Sequence, residues 1–97
     1  MANRRGFLDE IVDERARNLE FPELVEAAHR RRQLLRGLAT KREELGMSQT
    51  AVAARMGTSQ SAVARLEAGE MDAKFSTVER FAAALGQKVE WRVEKSR

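Results

Sequence analysis

A mainly α-helical fold, with an extra helix at its N-terminal end and one short β-strand at its C-terminal end, is what this sequence predicts. Three observations carry it. Apolar residues recur at helical spacing along most of the 97 residues, and only one proline interrupts them. Between Ser48 and Gly69, SQTAVAARMGTSQSAVARLEAG, two serine starts and two glycine stops mark out two short helices joined by a tight turn. After Gly86 the apolar pattern changes to alternation, the period of a strand.

In chain order, residues 1–21 form the first segment. Phe7, Leu8, Ile11, Val12 and Leu19 lie on one side of a helix of about three turns, between acidic clusters. This amphipathic helix either packs on the domain or acts as a dimerisation or partner-docking arm. Residues 22–86 form the domain proper. Pro22 sits at a first-turn position, where its missing N–H costs little. From there a helix can run unbroken to Leu45 and stop at Gly46, a length of about 36 Å. Leu24, Ala28, Leu35, Leu38 and Leu45 share one stripe of it, and Arg31 and Arg42 fall on the same stripe, where cations need partners. His29, Arg30, Arg31 and Arg32 span too much of the circumference to share a face. Solvation is the plain reading of them, and phosphate or an acidic partner surface the alternative. His29 has no second ligand-like histidine, so no metal is expected.

The next helix starts at Ser48, turns Val52, Ala53 and Met56 inward, and ends at Gly57. The one after it starts at Ser59, turns Ala62, Val63 and Leu66 inward, and ends at Gly69. Small residues (Ala51, Ala53, Ala54, Ala62, Ala64) let the pair approach closely. Helix, glycine turn, helix is a helix-turn-helix pattern. Ser76-Thr77-Val78-Glu79 reads as a capping box opening a helix with Val78, Phe81, Ala82 and Leu85 inside and Gly86 at its end. Residues 87–97 form the last segment, in which Lys88 to Glu94 alternates and predicts a strand. A lone strand leaves its backbone groups unpaired. Val89, Trp91 and Val93 are therefore expected to line a dimer or partner interface.

The residues MSQTAVAARMGTSQSAVARLEAG, led in by LATKREELG and followed by STVERFAAALG, resemble the phage-repressor class of helix-turn-helix proteins, the Cro-like or Xre family. The resemblance covers Leu34 to Gly86 and implies a five-helix phage-repressor-like domain that binds a palindromic operator on double-stranded DNA as a homodimer. It implies that Arg42 pairs with Glu67, a match suited to a guanidinium fork on a partly buried carboxylate. It also implies that Gln49 braces against the DNA backbone and supports the recognition helix. Gln60 and Ser61, with Arg65 one turn on, are the candidates for base reading. A glutamine amide fits adenine N6 and N7, and an arginine fits guanine O6 and N7. Thr58 and Ser59 are better placed for phosphate. The bland reading of Gln60 and Ser61 is that they cap and solubilise the helix. The loop Glu70-Met71-Asp72-Ala73-Lys74, basic in many members of the family, here holds one cation, which weakens the case for backbone contacts from it.

Composition narrows the rest. There is no cysteine, hence no disulfide framework or thiolate nucleophile. One histidine and no glycine-rich phosphate loop leave no catalytic constellation, so no enzyme and no cofactor are expected. No apolar run approaches the roughly 20 residues of a membrane span, and MANRRGFLDE lacks a signal peptide's apolar core, so the cytoplasm is the expected location. The net charge of +3 suits a polyanion only mildly. Residues 47–70 are neutral, with Arg55 and Arg65 against Glu67 and Glu70, so base contacts and dimer symmetry must carry much of the affinity. Size, the leucine-rich helix before the motif and the helix-then-strand ending resemble HigA-type antitoxins. That likeness implies a small ribonuclease-like toxin as partner and repression of the chain's own operon. A stand-alone Xre-type repressor and a protein-interaction adaptor on the same fold are the alternatives.

Overall fold

The computed structural model describes residues 21–95. Four helices follow one another: α1 (Pro22–Glu44), α2 (Gln49–Met56), α3 (Gln60–Ala68) and α4 (Phe75–Ala84). The packing divides within α1, between Arg30 and Arg31. In residues 21–30, Pro22 opens the helix as the sequence predicts, and Phe21 O accepts from Leu24 N at 2.9 Å. Ala28 is buried and Glu26 pairs with Arg30 one turn on, at 3.6 Å.

Residues 31–95 carry the core. Leu35 and Leu38 of α1 meet Val52, Ala53 and Met56 of α2, Val63 and Leu66 of α3, and Val78, Phe81, Ala82, Ala84 and Leu85 at α4. Phe81, Val52 and Val63 have no exposed surface. Burial along the α1 stripe is narrower than its spacing predicts, since Leu24 and Leu45 stay exposed. Leu45 lies beyond the last helical residue, where Gly46 turns the chain away at φ +71°.

The turn between α2 and α3 is built by two local devices. Ser48 Oγ accepts from Ala51 N at 3.0 Å and Ser59 Oγ from Ala62 N at 3.2 Å, so each helix has its expected cap. Gly57 adopts φ +71°, its N–H donates to Ala54 O, and Thr58 N–H donates to Ala53 O at 2.9 Å. This closes the helix with a left-handed residue that a Cβ would strain.

Two expectations are corrected. The Ser76 capping box does not form. α4 begins at Phe75, with Lys74 as a cap that makes no side-chain bond, so Ser76 already lies inside the first turn. The fold expected was a five-helix domain with a C-terminal β-strand. Among the described residues there are four helices and no strand. The reason is that alternation supplies two faces but no partner edge. Within residues 87–95, Val89 instead packs on the core, and the Trp91 ring sits 4.4 Å from the Phe75 ring of α4, tilted by 35°. The amphipathic helix expected over Gly6 to Leu19 lies outside the described residues.

Candidate nucleic-acid interface

Helix α3 has one buried side, Val63 and Leu66, and the geometry of a helix sends the residues between them outward. Gln60, Ser61 and Arg65 are exposed, as are Thr58 and Ser59 in the turn before them. Ser61 and Arg65 are one turn apart and share a side. Ser59 Oγ and Ser61 Oγ lie 3.2 Å apart. Thr58, Ser59, Gln60 and Ser61 thus gather at the start of α3, and Arg65 lies in its last turn on the side of Ser61.

Behind this surface runs a chain of polar contacts. Arg42 Nε donates to Glu67 Oε2 at 2.6 Å and Arg42 Nη2 to Glu67 Oε1 at 3.1 Å, the fork geometry that suits a carboxylate. The two side chains are 11% and 9% exposed, so the pair lies largely out of water. Arg42 Nη1 also donates to Met47 O at 2.8 Å, which pins the segment leading into α2. The hydrogen bond to Glu67 and its charge raise the Arg42 pKa above its ordinary value, against the opposing pull of burial. Gln49 Nε2 then donates to Glu67 Oε1 at 2.9 Å, and Gln60 Nε2 donates to Gln49 Oε1 at 2.6 Å. The polarity of this chain has a chemical cause. An ionised carboxylate only accepts, so Gln49 must turn its amide N–H₂ to Glu67 and its oxygen to Gln60. Gln60 must therefore present its own N–H₂ to Gln49. Its oxygen and its second N–H are left for another partner.

A family model described as helix-turn-helix matches residues 38–92, more than half of the chain. The chain belongs to the Cro/C1-type helix-turn-helix family. No curated protein and no solved structure matches it. This helix-turn-helix protein is a DNA-binding transcriptional regulator, and α3 is the second helix of its motif. Among the described residues, no helix is long and apolar enough to cross a membrane, and no cluster of histidine and carboxylate side chains is placed to hold a metal.

Two supports of the helix-turn-helix unit were not visible in the sequence. Arg55 Nη1 donates to Ala84 O at 3.0 Å, tying the last turn of α2 to the end of α4. Arg31 Nε stands 3.4 Å from Asp72 Oδ1, so the acidic loop after α3 faces a cation of α1. Contacts such as these carry no periodic signal, because they depend on how separate helices are placed. The Arg31 position on the apolar stripe was the only hint. The Gln49–Gln60 bond is different: the resemblance implied that Gln49 supports this helix, and the structure adds that Gln60, 11 residues on, is its contact there. Val89 packs on the core, Trp91 Nε1 donates to Glu79 Oε2 at 3.1 Å, and Val93 is exposed.

Proposed function

We propose that this regulator is a sequence-specific repressor that docks α3 in the major groove of a palindromic operator and binds it as a homodimer. The observation that supports it is the chain Arg42–Glu67–Gln49–Gln60, which leaves Gln60 with one acceptor and one donor facing outward. That pair is the complement of adenine's N6 donor and N7 acceptor. Arg65 one turn on reads guanine, Thr58 and Ser59 hold phosphate, and Gln49 braces the backbone. The test is a footprint of the full chain on the DNA upstream of its own gene. The result expected is a symmetric pair of protected half-sites about 34 Å apart. Folded protein that binds this DNA no better than random duplex overturns the reading.

The finer reading is an antitoxin that represses its own operon and neutralises a small ribonuclease-like toxin. Its support is the resemblance to HigA-type antitoxins in size and in the leucine-bearing helix ahead of the motif. Co-expression with the neighbouring reading frame tests it. A stable complex and relief of growth arrest are expected, and free mixing without a complex overturns it. A stand-alone repressor is the second reading. What favours it is the tail: the helix-then-strand ending was one of the likenesses, and the described tail forms no strand.

A further inference from the structure

We infer that the face made by Phe75, Trp91 and Val93 is where a second copy of this chain docks, with a two-fold axis at Trp91. The inference deepens the homodimer reading and rests on it. Phe75 is 66% exposed, Trp91 42% and Val93, two residues further on, fully exposed, so a tilted aromatic pair and a valine of the same segment are open at the surface. The one polar atom of the indole is already bonded to Glu79. What the pair turns outward is therefore apolar, and aromatic surface of this kind is typical of interface cores. Val89, packed on the core, holds the start of the segment in place.

Charge order identifies the occupant. The segment Lys88-Val89-Glu90-Trp91-Arg92-Val93-Glu94 is its own complement when reversed about Trp91. Lys88 falls opposite Glu94, Glu90 opposite Arg92, and Val89 opposite Val93, while Trp91 meets its own copy. A two-fold contact requires this relation, because residue i meets j and j meets i across the axis. A different partner places no such demand on the chain. Lys88, Glu90, Arg92 and Glu94 are all exposed, so they can form the polar rim around the Phe75–Trp91 centre. Arg92 bonds Glu94 within its own chain, and that exposed pair is weak enough to exchange for the contact with Glu90 across the axis.

Sedimentation equilibrium of the full chain, with circular dichroism to verify folding, tests the inference. Lys88→Glu sets like charges against each other twice per dimer and should raise the dissociation constant about ten-fold. Adding Glu94→Lys to the same chain restores opposite charges across the axis, and affinity should return to within about three-fold of the parent. Trp91→Ala should leave monomer. If the parent dimerises and these variants dimerise equally well, this face is not the interface, although the homodimer reading stands. If the charge swap fails to restore what Lys88→Glu lost, the register about Trp91 is wrong. If the parent is monomeric at every concentration, the homodimer reading itself falls, and this inference with it.

Discussion

Arg42 sits where an apolar side chain belongs by spacing, and Glu67 is the reason it can. Removing either partner leaves the other charged in a place that water hardly reaches. Arg42→Ala and Glu67→Ala should each destabilise, and the double variant by less than their sum. A coupling of about 0.5–3 kcal/mol is expected from urea unfolding of the four proteins. Additive energies would show that the pair is not coupled. The raised Arg42 pKa fixes the sign of its pH dependence: its stabilisation is fully present below the ordinary guanidinium value and is lost only as pH climbs through the higher folded one. Arg42 therefore adds no pH dependence to folding near neutrality. Arg65 differs, because it is exposed and has the freedom to meet a base. Arg65→Ala should cost about 1–3 kcal/mol on the specific operator and relax one position, with much less change on random duplex. Equal losses on both DNAs, measured by gel shift, would assign Arg65 to phosphate.

Among the helices, two glycines predict opposite outcomes for one substitution. Gly37 lies inside α1, and a Cβ there would meet nothing within 4 Å. Gly37→Ala removes backbone freedom from the unfolded chain and should stabilise by about 0.5–1 kcal/mol. Gly57 is equally open, but its φ is +71°. Gly57→Ala should destabilise by about 1–2 kcal/mol through the left-handed backbone alone. Thermal or urea midpoints of both variants check this, and equal signs would refute the account. The stops at Gly57 and Gly69 and the caps at Ser48 and Ser59 were legible because each acts on backbone groups within a few residues. The start of α4 was not. Ser76 and Glu79 have the spacing of a capping box, yet α4 already includes Phe75, whose ring stacks on Trp91 well along the chain.

Across the whole chain, few of the cations fall in or beside α3. Within residues 47–70 only Arg55 and Arg65 are basic, and Arg55 is bonded to the end of α4. The loop that follows holds Asp72 against Arg31, with Lys74 as its single cation. Few phosphates are neutralised by such a surface, so few counterions leave the DNA. Operator affinity should fall by less than about a thousand-fold between 50 and 200 mM salt, the loss set by about six phosphate contacts. A steeper slope in a salt titration would mean that cations elsewhere, such as the arginines of α1, reach the backbone.

The helices, their glycine ends, their serine caps and most of the inward residues follow from the residues themselves. Those features rest on local hydrogen bonding and on the angular spacing of side chains, which neighbours in the chain dictate. The resemblance to repressors then pointed to Arg42 and Glu67 as a pair, and the fork between them is present. It also pointed Gln49 at the recognition helix, but only the packed structure could name Glu67 and Gln60 as its partners, because those bonds depend on where two helices come to rest. The packing also decided the fate of the alternating tail. Alternation specifies two faces of an extended segment, whereas a strand needs another edge to take its hydrogen bonds, and α4 offered Trp91 an aromatic ring and a carboxylate instead.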